Sequence, residues 1–340
     1  MKKTLYSENI TLHSVMFYTR YGTGIFKRLF FICGMLFILL TASAEELVIG
    51  SWNIRGNSHF EEYEVIQFGS YFVLDKHIDI LALQEVKLEL QKQQDTKKYK
   101  ILDKNNFLER FAQTLSKQTG GIWKYVSSAE YAIRETIGEY VNCNTGLDNA
   151  VLYRSDKVIV EDLHSGYPFH FDNFDISNYK MNMNHTNILK ISSMKDQFLD
   201  LNYFYFINTH MPASDKNKQA RDIGVLHQIY TVLDNNTPII FCGDFNIGYS
   251  ELNKIFSDCF VECYESTTIS AIRYVNSYDH FILNTVAKKQ EGVQKAKRYT
   301  SAITDIFTGQ IHYGNKVTTL EAFLHISDHV PIFMSIDTNL

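Results

Sequence analysis

Eight side chains with oxygen or imidazole donors stand where apolar runs of this 340-residue chain begin or end. Asn53 follows Leu47–Trp52, and Glu85 follows Ile80-Leu81-Ala82-Leu83-Gln84. His210 closes Tyr203–Thr209, and Asp244 and Asn246 come after Ile239-Ile240-Phe241-Cys242-Gly243. Asp279 precedes Phe281-Ile282-Leu283, and Asp328-His329 precede Ile332-Phe333-Met334. Taken singly, each is ordinary: a strand-end carboxylate is more often a turn or helix cap, and a lone histidine a structural one. Six strand ends that share this chemistry are another matter. They describe a rim on which polar groups converge without being buried unpaired. Hard oxygen donors suit Mg2+, Mn2+ or Ca2+ better than zinc. Histidines that titrate near neutrality can move protons beside such an ion.

Bringing those ends together requires strands with helices between some of them. Leu47–Trp52 reads as a strand, and Glu62–Lys76 as an amphipathic helix leading into Ile78–Leu83. That second apolar run is nearly continuous, as in a strand covered on both faces. Phe107–Lys117 has a helical pattern. So has Lys218–Leu233, with Ile223, Leu226, Ile229, Tyr230 and Leu233 along one face. Ala150–Tyr153, Thr186–Ile191, Tyr203–Asn208, Pro238–Cys242, Phe281–Leu283 and Ile332–Ile336 complete the strands. No repeat, low-complexity tract or Pro/Gly/Ser linker follows residue 45, so one domain over 45–340 is the simplest organisation. Strands with interspersed helices imply sheets packed together and covered by helices.

The bulk composition fits a folded enzyme-sized core. The chain is 45% hydrophobic with 24 Phe and 21 Tyr, which excludes a disordered polypeptide. Its N-terminus reads as an export signal over residues 1–44: Lys27 and Arg28, the apolar run Leu29–Leu40, then the small-x-small site Thr41-Ala42-Ser43-Ala44. The uncharged stretch Leu29–Ala44 falls short of the roughly 20 residues of a spanning helix. Met16 is an alternative start, and Cys33 lacks the small neighbours of a lipoprotein cysteine. A secreted or periplasmic protein is expected. Cleavage leaves 28 Lys+Arg against 37 Asp+Glu, a net charge of −9. That excludes a broad nucleic-acid-coating surface but not local contact with a few phosphates. Of the four remaining cysteines, Cys259 and Cys263 are the first candidates for a disulfide and Cys242 reads as a buried thiol; Cys143 is the fourth.

The strand ends also carry motifs in a fixed order: Ser51-Trp52-Asn53-Ile54-Arg55-Gly56, Leu83-Gln84-Glu85-Val86, Asn208-Thr209-His210, Gly243-Asp244-Phe245-Asn246, Tyr278-Asp279-His280 and Ser327-Asp328-His329-Val330-Pro331. In this the chain resembles the endonuclease/exonuclease/phosphatase superfamily, to which deoxyribonuclease I belongs, over residues 47–336. The resemblance implies an α/β (α+β) fold, a four-layer α-β-β-α sandwich of two mixed sheets flanked by helices. It implies Glu85 as main metal carboxylate with Asn53 and Asp328 beside it, and Mg2+ as the cofactor, Mn2+ or Ca2+ being the alternatives. Asp244 and Asn246 would bind the phosphate or a second metal and orient water. His329 would be the general base, held by Asp279, and His210 the general acid.

Two departures stand out. Deoxyribonuclease I-like members place a glutamate before the strand that here begins near Asn149, as partner of the second histidine; Asp148 is the substitute on offer. They also carry Arg where this chain has His280. Arg55, Lys87 and His280 are the substrate-contacting candidates. The stretch 288–298, with five cations and one acid, is expected to form an exposed loop that could track phosphates. DNA is the implied substrate and no obligate protein partner is evident. The alternative is a lipid phosphodiesterase or phosphatase, such as a sphingomyelinase or phosphoinositide phosphatase, for which Tyr167–Phe174 would be the membrane-contacting segment. A non-catalytic binding protein is the third reading, disfavoured because every motif keeps its ligand-type residues.

Overall fold

The structure, a computed structural model, describes residues 46–55, 62–87, 90–92, 98–101, 106–128, 141–142, 147–163, 170–171, 174–175, 186–194, 203–213, 215–233, 236–269, 275–289, 293, 295–299, 310–313, 316–319, 324 and 327–337. Twelve strands build two six-stranded sheets. They are β1 (Glu46–Asn53), β2 (Ile80–Lys87), β3 (Trp123–Ser127), β4 (Leu147–Arg154), β5 (Val158–Asp162), β6 (Thr186–Ser193), β7 (Tyr203–His210), β8 (Ile239–Asp244), β9 (Phe260–Glu262), β10 (Asp279–Leu283), β11 (Lys297–Arg298) and β12 (Ile332–Asp337). Sheet one runs β11-β12-β1-β2-β4-β3 and sheet two runs β9-β10-β8-β7-β6-β5. Each sheet has one central parallel pair, β1 with β2 and β7 with β8, and antiparallel neighbours on both sides.

Alternation along the strands sorts side chains into layers. Leu47, Ile49, Ile80, Ala82 and Val151 of sheet one meet Leu189, Ile191, Phe204, Phe206, Ile240 and Phe281 of sheet two in the inner core. The opposite faces are covered by helices. α1 (Glu62–Lys76) and α2 (Asn106–Thr119) close over Trp52, Leu81, Leu83 and Leu152, while α3 (Lys216–Val232) closes over Ile207, Ile239 and Phe241. α1 forms because Val65, Phe68, Phe72 and Val73 recur on one face, with Glu62 and Glu64 in its first turn and Lys76 in its last, each sign matched to the helix dipole. Two short helices, α4 (Tyr249–Ile255) and α5 (Thr285–Lys289), complete the set. No helix among the described residues is long and apolar enough to cross a membrane.

At the end of sheet one remote from the motif-bearing strand ends, Asp79 is buried just before β2. Lys157 Nζ lies 2.7 Å from it and Arg154 Nη1 3.8 Å, and its Oδ2 accepts the Val48 N–H at 3.2 Å. Burial pushes this carboxyl upward, against the pull of Lys157 and Arg154. A buried acid is tolerated there because fixed cations meet it.

Two expectations change. The 288–298 stretch is tied down at its described ends: Lys288 pairs with Glu262, Arg298 Nη1 donates to Ser266 O at 2.7 Å, and β11 is the edge strand of sheet one beside β12, while Lys289, Lys295 and Lys297 are exposed. Cys259 and Cys263 are separate thiols. Cys259 packs in the helix-covered layer and Cys263 in the inner core, on opposite faces of sheet two, so their sulfurs cannot meet. Cys242 is a buried thiol, while Cys143 and residues 1–44 lie outside the described residues. The Tyr167–Phe174 segment lies mostly outside them too; what is described is pairing of His170–Phe171 with Phe174–Asp175.

Candidate active site

Both parallel pairs end on the same rim, and the two central strands turn there by the same device. Asn53 closes β1 and its Oδ1 accepts the N–H of Arg55 at 2.9 Å; Asp244 closes β8 and its Oδ1 accepts the N–H of Asn246 at 2.8 Å. Arg55 and Asn246 both adopt left-handed backbone, with φ of 53° and 51°. Each Asx turn ties one polar atom to the backbone and leaves the other facing the site. Asn53 Nδ2 then donates to Asp244 Oδ2 at 2.9 Å and to Glu85 Oε1 at 3.0 Å, joining the sheets. Beneath Asp244 only glycine fits: Gly243 has φ of 135°, and a Cβ there would lie 1.9 Å from Thr209 O.

Glu85 reaches the rim by a bulge. β2 pairs in register with β4 as far as Leu83–Ala150, and pairing resumes at Val86–Asp148. Glu85 lies within the interruption with φ of 55°. His329 is held from several sides. Its N–H donates to Ser327 Oγ at 2.9 Å, Ser327 Oγ donates to Asn53 O at 2.7 Å, and Trp52 Nε1 donates to His329 O at 3.1 Å. Thr267 Oγ1 accepts the N–H groups of Tyr278 and Asp279, both at 3.2 Å, and so sets the start of β10. On the far side, Gln219 of α3 donates to Asn246 O at 2.9 Å and Pro212 O at 3.2 Å, fixing the turn after β8 to the segment after β7.

The result is one carboxylate oxygen, Asp244 Oδ2, with two histidine rings beside it. His329 Nδ1 lies 2.8 Å from Asp279 Oδ2, and its Nε2 lies 3.6 Å from Asp244 Oδ2. His210 Nε2 is 3.8 Å from the same Asp244 oxygen, 3.3 Å from Glu85 Oε1 and 3.5 Å from Asn246 Nδ2. The two rings are driven apart electrostatically. Burial works against charge on His329, but Asp279 and Asp244 overcome it and raise the ring to about 10. His210 is pushed below the ordinary histidine range by burial and by the charge on His329, with Asp244 pulling the other way. Burial raises Asp244, and the two histidines offset part of that rise.

The donor set fits a divalent cation. Carboxylate oxygens of Glu85 and Asp244 and a ring nitrogen of His210 lie within 4.8 Å of one another. Among the described residues Glu85 and Asp244 meet histidines and the Asn53 amide, with no lysine or arginine to balance them. Asp279 Oδ1 is buried with no hydrogen-bond partner. Oxygen-rich and short of lysine or arginine among the described residues, the pocket has the character of a divalent-cation site.

The structure thus brings Asn53, Glu85, His210, Asp244, Asn246, Asp279 and His329 together, and it shifts some details. Asn53 turns its N–H group to the carboxylates because its oxygen is taken by Arg55 N–H, so it orders the acids rather than offering an oxygen. Asp328 stands at the outer lip, 3.6 Å from Arg55 Nε and 4.0 Å from His329 Nε2. Arg55 therefore reaches the rim, and Lys87 is exposed at the end of β2. His280 does not face the site. It is buried with Nδ1 3.0 Å from Cys263 O and Nε2 2.8 Å from Ser277 O, because alternation along β10 turns it to the opposite face from Asp279. Asp148 is buried against the hydroxyls of Ser127 and Ser128, and the acids near His210 include Glu85 and Asp244. Trp52 and Ser327 stand inside the motifs as supports, a role their adjacency to Asn53 and His329 could have signalled. Gln219 carries no local signal at all.

Known proteins were compared with this geometry. The sequence model described as the Endonuclease/Exonuclease/phosphatase family matches residues 50–285. No curated protein matches the chain. Among solved structures, an endonuclease/exonuclease/phosphatase family protein from Bacteroides thetaiotaomicron superposes with a TM-score of 0.53 at 15% identity, covering 88% of this chain and 100% of that one. A mannosyl-6-phosphatase from the same organism gives 0.51 at 14% identity, covering 85% and 98%. D. rerio TDP2 complexed with a single-strand DNA product gives 0.50 at 14% identity, covering 86% and 100%. At these identities the likeness is one of fold.

Proposed function

The chain belongs to the endonuclease/exonuclease/phosphatase family, hydrolases that act on phosphate esters and are generally dependent on divalent metals, and from that premise we propose that it is an exported endonuclease that hydrolyses DNA. The observation that carries the reading is the Asp279–His329 pair aimed at Asp244, with a second histidine, His210, near the same carboxylate oxygen. In-line displacement at phosphorus needs a proton acceptor for the attacking water and a donor for the leaving oxygen, on opposite sides. Asp279 holds the His329 ring with Nδ1–H toward itself, leaving Nε2 to take the proton of water. His210, beside Glu85 and within reach of Asn246, is placed to serve the leaving oxygen; its ring is held below the ordinary histidine range, so it would do so through a neutral ring N–H. Asn246 is anchored by its own Nδ2–H to Met211 O at 2.8 Å, so the loop that carries it stays close to His210.

A base must be neutral to act, and with its carboxylate neighbours uncompensated His329 keeps its proton up to about pH 10. The reading therefore requires positive charge beside Asp244 at work. Glu85 and Asp244, with Asp328 at the lip, would hold a divalent cation, which would supply that charge and neutralise phosphoryl oxygens. Arg55 and Lys87, at the ends of β1 and β2, are the cations available to flanking phosphates, and they act locally, which suits a chain of net negative charge.

Plasmid nicking by the purified protein, with and without EDTA and beside His329→Ala, tests this directly. Nicking that vanishes with chelator and with the variant is expected. A plasmid left intact in Mg2+, Mn2+ and Ca2+ would sink the DNA reading. The same preparation would then be offered mannose 6-phosphate and sphingomyelin vesicles, which separate a sugar phosphatase from a lipid enzyme. Export rests on residues 1–44 and predicts a secreted form beginning at Glu45, read by N-terminal sequencing.

A further inference from the structure

Beneath the rim, the inner faces of the two sheets exchange hydrogen bonds through amides where apolar contacts would be expected. We infer that Asn208, together with Gln84, is a positioning residue that holds the Glu85 bulge at a set distance from His210; this rests on the metal-dependent reading given above. The β2–β4 ladder is interrupted after the Leu83–Ala150 pair. The two carbonyls flanking that interruption are both reached by one group from the opposite sheet: Asn208 Nδ2 lies 3.0 Å from Leu83 O and 3.1 Å from Ala150 O. Asn208 Oδ1 accepts from Gln84 Nε2 at 2.8 Å, and Gln84 Nε2 also reaches Ser51 Oγ at 3.0 Å. Asn208 and Gln84 are both fully buried.

The geometry makes this more than a link between sheets. Gln84 immediately precedes Glu85, so its side chain pins the backbone from which Glu85 departs with φ of 55°. Asn208 lies two residues before His210 on the same face of β7. One amide therefore grips the strand of the carboxylate and rides on the strand of the histidine, and the 3.3 Å spacing of Glu85 and His210 is defined through it. A shift of the bulge by even 1 Å would move Glu85 relative to Asp244. Asn187 is the internal control. It accepts from the same Asn208 Nδ2 at 3.0 Å and is equally buried, yet its side-chain hydrogen bonds go to Asn208 and to Asn149 O of β4, and none goes to β2 among the described residues. Asn208 has two amide hydrogens for three acceptors, so loss of Asn187 leaves both β2–β4 carbonyls served.

Mn2+ titration by calorimetry, with the melting temperature of each protein, decides the matter without any substrate. Asn208→Asp keeps the shape but places an oxygen against two carbonyls; Asn208→Ser is smaller and leaves room for water, and carries the test if the first does not fold. Both are expected to weaken Mn2+ binding by about 10- to 100-fold, the usual effect of losing a residue that orients a metal ligand, while Asn187→Ala stays within about threefold of wild type. Folded Asn208 variants that bind Mn2+ as wild type does would overturn the inference, as would an equal loss in Asn187→Ala. A wild-type protein that takes up no Mn2+ would instead remove the metal-dependent reading, and this inference with it.

Discussion

The two sheets share one topology, a central parallel pair flanked by antiparallel strands in matching order, yet their rims differ in chemistry. Sheet one ends in Asn53, Glu85 and Asp328, whose acids are partly open: the Glu85 side chain is 22% exposed and that of Asp328 37%. Sheet two ends in His210, Asp244 and Asp279, with the Asp244 and Asp279 side chains 2% and 1% exposed and both acids facing imidazoles. The acids of sheet one are thus the more open ones, while in sheet two Asp279 holds the His329 ring and Asp244 lies between the imidazoles and the acids grouped around Glu85. The contrast with Asp79 at the remote end of sheet one makes the point sharper. There a buried acid meets Lys157 and Arg154 and is at rest; at the rim Arg55 reaches Asp328, while among the described residues Glu85, Asp244 and Asp279 meet no lysine or arginine.

Substitutions on the two sides should break this comparison if it is wrong. The largest effect is expected from the proton side: His329→Gln and Asp279→Asn should lower kcat at saturating Mg2+ by about 10²- to 10⁴-fold while leaving metal affinity nearly unchanged. Glu85→Gln should do the reverse, weakening Mn2+ binding with a smaller loss of rate once metal is saturating; a uniform response of all three would dissolve the division.

Next comes pH. The folded value for His329, about 10, exceeds the ordinary 6.5, so its charged form stabilises the metal-free fold fully below pH 6.5 and that stabilisation is lost as pH climbs toward 10. Urea unfolding without metal should show stability falling across that window with a slope of up to about 1.4 kcal/mol per pH unit. Asp279→Asn should flatten the slope, and an unchanged slope would argue against the buried pair.

The smallest effect is expected at the lip. Lys87→Gln should weaken DNA binding by less than about tenfold and reduce its salt slope by about one counterion. A loss independent of salt would mean that Lys87 acts on something other than phosphate.

Much of this arrangement was legible in the order of residues, for definite reasons. Glu62–Lys76 forms as read because its apolar face and terminal charges agree. The eight strand-end groups announce a rim because buried strands rarely stop on ligand-type side chains by accident. What escaped reading depends on contacts between distant segments. β2 continues through Glu85 to Lys87, but the bulge exists only against β4 and Asn208. His280 follows Asp279 in a motif, yet strand alternation turns it away into a nest of carbonyls. In the basic 288–298 stretch, Lys289, Lys295 and Lys297 are exposed as read, but nothing local announces that Glu262 holds Lys288 and that Lys297–Arg298 pairs with β12. Asn208 and Gln84 are polar letters in apolar runs, and nothing local distinguishes a buried clasp from noise.

Trp52 gives the molecule an optical gauge of its own. Only two tryptophans occur in the chain. Trp123 sits on the edge strand of sheet one with its ring N–H on Thr119. Trp52 lies wholly buried with its ring N–H on the carbonyl of His329. A shift in the backbone that carries the His329 ring alters the electrical surroundings of that indole first, so emission from a Trp123→Phe protein would follow the site in real time, with no dye attached and no substrate turned over.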